Sequence, residues 1–244
     1  HCFFGEPDFR VYLKALGDAA THYGVLVHAY VLMTNHVHLL ATPLEAGAVS
    51  RAMQSVGARY VGYVNATQGR TGTLWEGRYR ACLVDHDAYL LAACRYIDLN
   101  PVRAKICDDP EDYRWCGYAQ AVAGGQEARA AVAWLSALNP HGRMKPEAAA
   151  AARPKEALRR WRCHLFGIPE NEARQAEESA KGGMAEVFRD RIPRDKALEV
   201  LARGGKLSQA DYLRCKVRYF SDGAVLGGKN FVEGIFQACR ERFG

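Results

Sequence analysis

Two histidines separated by one hydrophobe, His36-Val37-His38, follow an apolar, β-branched run over residues 25–33. Side chains alternate faces along a strand, so His36 and His38 point one way and Val37 the other. Neighbouring imidazoles on one strand face can both ligate a divalent ion. The same spacing also suits two polar residues on a solvated face. Further along the chain, Tyr96 and Asn100 lie four apart in an apolar helical pattern, and so one turn apart on a single helix face. The amide oxygen of Asn100 suits a hard ion such as Mg²⁺ or Mn²⁺. Two imidazoles, one amide oxygen and open positions leave room for phosphate oxygens, which a closed four-ligand zinc site does not. Beside such an ion a tyrosine can attack a phosphodiester, although a free phenol ionises only near pH ~10 and needs help from a cation or base. Tyr96 shares its helix with Tyr89, Leu90 and Ile97, so it also reads as a core side chain.

The elements that must carry these residues follow from periodicity and punctuation. Glu6-Pro7-Asp8 starts a helix that repeats apolar residues at helical spacing to Tyr23, and Gly24 stops it. Residues 25–33 form a strand, Thr34-Asn35 a turn and 36–42 the returning strand of a β-hairpin. Helical periodicity resumes over 47–64, a polar loop covers 67–72, and 73–84 reads as a strand kinked at Gly77. Asp85 or Asp87 caps the helix that bears Tyr96, and Asn100-Pro101 ends it. The aromatic-rich stretch 108–123 is expected to pack back on the preceding elements. Gly124-Gly125 reads as a hinge dividing residues 1–123 from an all-α region, 124–244. Late in that region, 208–220 and 230–243 flank a glycine-containing turn, a pattern shared by helix-turn-helix units and ordinary helical hairpins.

Composition bounds the partners. Lys and Arg total 33 against 27 Asp and Glu, so the net charge of +6 permits an anionic partner without demanding one. None of the eight cysteines forms a Cys-x-x-Cys pair, which argues against a zinc ribbon and a disulfide framework and favours reduced thiols in the cytoplasm. No apolar run approaches the roughly 20 residues needed to span a bilayer and no signal peptide is visible, so no membrane partner is expected.

Three blocks sharpen this reading: Tyr30-Val31-Leu32-Met33-Thr34-Asn35-His36-Val37-His38-Leu39-Leu40, Gly72-Thr73-Leu74-Trp75-Glu76-Gly77-Arg78-Tyr79, and Arg95-Tyr96-Ile97-Asp98-Leu99-Asn100-Pro101-Val102-Arg103-Ala104. In order and spacing they resemble the REP-associated tyrosine transposases, single-tyrosine members of the HUH superfamily. The resemblance implies an α+β fold with a ferredoxin-like antiparallel sheet, the histidine pair on a central strand and the tyrosine on a neighbouring helix. It implies that His36 and His38 bind Mg²⁺ or Mn²⁺ with Asn100 as third ligand. It further implies that Tyr96 is the catalytic residue, forming a 5′-phosphotyrosine link with single-stranded, hairpin-forming DNA. The stretch 213–234 resembles an extra C-terminal region of one subgroup, expected to be a helical DNA-binding module. Relatives carry a strand ahead of their first helix, and this chain opens near the end of the turn that follows it, so that strand is expected to be missing. Monomer and homodimer both remain compatible.

Arg51, Arg59, Arg70, Arg78, Arg80, Arg95 and Arg103 fall around the expected site, interleaved with Tyr60, Tyr63, Trp75 and Tyr79. Arginine supplies phosphate contacts and aromatic faces stack on unpaired bases; the alternative is that the aromatics are core and the arginines solvated. Arg78 and Arg80 would share a strand face. The leading expectation is a metal-dependent single-stranded DNA transposase or nickase. The rivals are a domesticated or defective relative that binds hairpin nucleic acid without cleaving it, and a hydrolase of small phosphate compounds, for which no glycine-rich phosphate cradle is present.

Overall fold

The computed structural model describes residues 1–85, 88–137, 154–166, 199, 202–203, 225–226 and 229–243. Its first helix, α1 (Glu6–Tyr23), is started by a carboxylate and stopped by a glycine. Asp8 reaches back to accept the backbone N–H groups of Phe4 and Gly5 at 2.6 and 3.0 Å, satisfying donors that the first turn leaves without partners. Gly24 ends the helix at φ 66°, a left-handed conformation that costs glycine little. Phe9, Tyr12, Ala15, Leu16 and Ala19 form the buried stripe between these ends.

The chain then enters β1 (Val25–Leu32) and β2 (Val37–Pro43), an antiparallel hairpin whose register sets Val31 opposite His38 and Leu32 opposite Val37. The N–H of Met33 donates to the carbonyl of His36 at 2.8 Å and closes the turn, so His36 sits at the mouth of β2 and not within it. Helix α2 (Ala48–Thr67) packs along α1 and buries Ala52, Val56, Tyr60 and Val64. An aromatic core joins these elements. Phe3 stacks on Phe9 at 4.3 Å, Phe9 on Trp115 at 4.6 Å, and Tyr12 meets Tyr60 edge-on at 5.1 Å. Such offset and edge contacts add to the area that the rings bury.

Helix α3 (Ala88–Asp98) lies over β1 and β2, on the face that carries His38, and after a break at Leu99 a single turn, α4 (Asn100–Arg103), follows. The stretch 108–123 packs back as expected. Tyr113 donates its hydroxyl to the carbonyl of Leu32 at 2.6 Å, Leu32 N–H donates to Trp115 O at 2.9 Å, and Cys116 bridges Val31. Helices α5 (Gly117–Val122) and α6 (Gln126–Ala137) flank the Gly124-Gly125 turn, which is braced by Gly125 N–H to Gln120 O and by the Arg129 Nε–H to Ala121 O. Helix α7 (Pro154–Phe166) packs on α6 and α3. A short β3 (Leu83–Val84) pairs in parallel with β4 (Val225–Leu226), and α8 (Lys229–Phe243) follows.

Two expectations need correction. Among the described residues the antiparallel sheet has two strands, so the larger sheet of a ferredoxin-like fold is not formed there. The strand expected over 73–84 is reduced to Leu83–Val84, and Arg78 and Arg80 therefore share no strand face. The physical reason is that this segment meets helices and not a strand. Trp75 packs against Tyr12 and Tyr60 at 6.3 and 6.1 Å, and the hydroxyls of Tyr79 and Ser50 on α2 lie 2.8 Å apart. Residues 208–220, the first half of the expected helix-turn-helix, lie outside the described residues. The second half, 230–243, is helical. Among the described residues no helix is long and apolar enough to cross a membrane, and Cys2, Cys82, Cys94, Cys107, Cys116 and Cys163 are free thiols.

Behind the tyrosine helix lies a buried polar seam. Trp161 of α7 is 1% exposed and donates its indole N–H to Asp98 Oδ2 at 2.8 Å. Burial pushes the Asp98 carboxyl up to about 7, against which the Trp161 hydrogen bond works. Arg162 ties α7 further, to Asp109 at 2.5 Å and Glu111 at 2.7 Å. Because folding raises the pKa of Asp98, its contribution is fully present below the unfolded value of about 4 and is lost as pH rises towards 7. Asp98→Asn keeps an acceptor for Trp161 and removes the titration. Chemical denaturation across pH should therefore show the variant gaining on the wild type from pH ~4 to ~7, by on the order of 4 kcal/mol, and holding that gain above pH 7.

Candidate active site

Four side chains from separate parts of the chain converge at the turn end of the hairpin. The rings of His36 and His38 meet edge-on with centroids 4.8 Å apart. His38 in turn meets the ring of Tyr96 on α3 at 5.4 Å, also edge-on. The guanidinium carbon of Arg103 lies over the other side of this group, 4.8 Å from the centroid of Tyr96. His38 lies on β2 and His36 in the turn just before it, held there by the Met33 N–H to His36 O bond, and the packing of α3 on the hairpin delivers the phenol.

The electrostatics favour neutral imidazoles. His38 is half-buried, and burial, followed by the charge of His36 and then of Arg103, pushes its pKa down to about 4. His36 is exposed by accessible area, yet the protein crowding its ring still lowers its proton affinity. Its Nδ1 lies 2.7 Å from Asn35 Oδ1. An amide oxygen only accepts, so this contact places the proton on Nδ1 and leaves the Nε2 lone pair for a ligand. Metal-ligating histidines are ordinarily oriented by such a partner. Asn35 had been visible in the sequence only as a turn residue, although its place directly before His36 is the signal that could have found it.

Asn100 follows Tyr96 by one turn and is 9% exposed, at the start of α4. Its side-chain amide oxygen is of the donor type that a hard divalent ion takes, one turn along from the ring that meets His38. Among the described residues no group of three or more His, Cys, Asp or Glu side chains could hold a metal ion.

The expected DNA surface is rearranged. Arg95 is the clear correction. It is 4% exposed and donates from Nε to the carbonyl of Leu165 at 2.5 Å, so it ties α3 to α7 and faces no solvent-borne ligand. Arg59 is exposed but pairs with Asp18 at 2.9 Å, and Arg51 reaches Glu45 and the carbonyl of Ala46 in the turn before α2. Arg70 donates to Thr73 O in the loop after α2. Arg78 and Arg80 are exposed in the irregular segment that crosses α2. Of the seven arginines, Arg103 is the one placed directly on Tyr96. Among the aromatics, Tyr60 and Trp75 belong to the core, and Tyr63 donates its hydroxyl to Asp8 at 3.0 Å. Tyr79 is 42% exposed and presents a face to solvent.

The chain was compared with protein families, curated proteins and solved structures. No curated protein and no solved structure matches it. Residues 2–100 match the family model described as "Transposase IS200 like", a span that takes in the hairpin, α2, α3 and all of His36, His38, Tyr96 and Asn100. Over those residues the chain is similar to the IS200-like transposases, and the match reaches the wider family and not the REP-associated subgroup in particular.

Proposed function

We propose that this chain is a REP-associated, HUH-type tyrosine transposase that nicks and rejoins single-stranded, hairpin-forming DNA through Tyr96. The observation that carries the reading is the contiguous stack His36–His38–Tyr96, with ring centroids 4.8 and 5.4 Å apart. The order α1-β1-β2-α2 supports it as well, since this is the inner run of a ferredoxin-like β-α-β-β-α-β unit.

His36 and His38, with the amide oxygen of Asn100, would hold Mg²⁺ or Mn²⁺. When bound, such an ion polarises the scissile phosphate and stabilises the departing oxygen. Tyr96 Oη attacks phosphorus in line with the 3′-oxygen. The Oη–P bond forms, the P–O3′ bond breaks, and the phenolic proton passes through water to the leaving 3′-oxygen. One strand is left with a 3′-hydroxyl, the other joined through its 5′-phosphate to Tyr96. A second 3′-hydroxyl attacking the same phosphorus reverses the step and rejoins DNA without outside energy. Neutral imidazoles serve this site because they present lone pairs near pH 7 with no proton to displace.

Exposed Arg51, Arg78 and Arg80 and half-buried Arg70, with Tyr79, would track the DNA backbone and stack on a base. The region beyond residue 123 would contribute further DNA contacts. The direct test is to incubate the protein with a 5′-extended hairpin oligonucleotide and Mn²⁺ and resolve the products under denaturing conditions. Wild type yields a protein–DNA band that depends on the metal and is absent with Tyr96→Phe. Tight hairpin binding with no such band would favour the reading as a non-cleaving relative.

A further inference from the structure

The contact between Arg103 and Tyr96 is built more firmly than a surface arginine requires. Arg103 is half-buried at the end of α4, and that single turn is fixed on both sides. Its own N–H donates to Leu99 O at 3.0 Å, and Ala104 N–H to Asn100 O at 2.9 Å. Beyond it, Ile106 N–H returns to Pro101 O at 3.0 Å across Lys105, whose φ of 59° turns the chain sharply. The residue that opens this turn, Asn100, is the amide expected to ligate metal. One small rigid element therefore presents a ligand at its start and a guanidinium at its end, with the Tyr96 ring against the guanidinium.

The geometry of the group is layered. Arg103 covers the face of Tyr96 at 4.8 Å, while His38 meets the same ring edge-on at 5.4 Å. A phenol side chain turns about two bonds. Contacts from two directions restrict both, because swinging the ring breaks either the stack or the edge contact. A guanidinium suits this role for a reason that lysine does not share. It is planar and weakly hydrated, so it stacks flat on a ring and leaves its N–H edge in the plane, where phosphate oxygens are recognised.

We propose that Arg103 is a positioning residue for Tyr96, its stacked guanidinium holding the phenol against His38 in the rotamer that aims Oη at the scissile phosphate. This rests on the reading of Tyr96 as nucleophile, but the order of the ring can be measured without any reaction. Misplacing a nucleophile by a fraction of its approach distance lowers the rate while leaving substrate binding alone. The predicted defect is therefore in the cleavage step and not in affinity.

The test uses the full chain carrying ring-¹³C tyrosine, with the Tyr96 resonance assigned from its loss in Tyr96→Phe. In wild type, relaxation should report a rigid Tyr96 ring. Arg103→Lys keeps the charge and loses the planar stack, and should make that ring mobile while the melting temperature stays close to wild type. Arg103→Gln offers a planar amide without charge and should be intermediate. In parallel, single-turnover cleavage of a hairpin oligonucleotide at saturating concentration with Mn²⁺ should fall at least tenfold in Arg103→Lys, while hairpin affinity changes less than twofold. An unchanged Tyr96 ring in both variants overturns the proposal. So does full cleavage by Arg103→Lys at saturating DNA, which would reduce Arg103 to a simple phosphate contact. If wild type forms no adduct at all, the nucleophile reading fails, and the ring measurement still decides whether Arg103 orders Tyr96.

Discussion

Replacing His38 with alanine should abolish divalent-ion binding and reduce DNA cleavage by about a thousandfold, the cost of removing several kcal/mol of charge stabilisation from the step. His38 is the inner member of the pair. It is half-buried, lies between His36 and Tyr96, and holds its proton so weakly, near pH 4, that it is a neutral ligand throughout the physiological range. Without it, an exposed His36 and the amide of Asn100 remain, and two protein donors do not retain Mg²⁺ or Mn²⁺ at useful concentrations. Calorimetry with Mn²⁺ gives the affinity directly, and a loss of a hundredfold or more is expected. The pH dependence follows from the same environment. A free imidazole loses metal as it protonates near pH 6.5. Here burial disfavours the imidazolium at both histidines, so binding should persist to lower pH than a pair of free imidazoles allows. The stability effect has the same origin. As pH falls from 6.5 towards 4 the unfolded chain takes up a proton that the folded His38 refuses, so this residue destabilises the fold on the acid side, opposite in sign to Asp98 over the same interval.

The second large effect comes from a residue outside the span that matches the transposase family. Trp161→Ala should lower the melting temperature by about 10–20 °C. The buried indole fills a core position, and its truncation costs on the order of 3–5 kcal/mol. It also strips Asp98 of its donor, which adds about 1–3 kcal/mol; in a chain of this size each kcal/mol moves the midpoint by about 2–4 °C. Asp98 stands two residues after Tyr96 and two before Asn100, on the back of the tyrosine helix. The loss should therefore reach the active site, and adduct formation should fall even at temperatures where the variant is folded. Trp161→Phe separates volume from hydrogen bonding. It keeps most of the packing and should lose only the smaller increment, so differential scanning calorimetry of the two variants apportions the effect.

The parts that were legible in the sequence are those whose cause is local. The hairpin follows from a β-branched run, a polar turn and a second run, although the second strand starts at Val37 and leaves His36 in the turn before it. The start of α1 could be read from Asp8 and its end from Gly24. The convergence of Tyr96 on His38 came from family resemblance, because nothing local says where α3 will dock. The segment 73–82 misled because Leu74, Trp75 and Tyr79 have the composition of a strand, whereas a strand also needs a partner. Its rings are satisfied by Tyr12, Tyr60 and Ser50, which lie on helices distant in sequence. Arg95 misled because charge was taken as a sign of exposure. Leu91, Cys94, Arg95 and Asp98 recur at helical spacing and are all buried, a face other than the one expected through Tyr89, Leu90 and Tyr96. What made two charges tolerable there, the carbonyl of Leu165 and the indole of Trp161, lies some seventy positions away and is invisible to any local reading. The same distance hid the clamp that α7 places on the helix bearing Tyr96.

The central claim is that Tyr96 becomes bonded to DNA. Full-length protein incubated with Mn²⁺ and a 5′-extended hairpin oligonucleotide, then denatured and digested with trypsin, puts that claim on a balance. Cleavage after Arg95 and Arg103 releases the peptide spanning 96–103, in which Tyr96 is the sole tyrosine. The account predicts that this peptide carries the added mass of a 5′-phosphorylated DNA fragment, that the released strand ends in a 3′-hydroxyl, and that omitting Mn²⁺ removes both. An adduct on a different peptide, or cleavage by Tyr96→Phe at the wild-type rate, would contradict it.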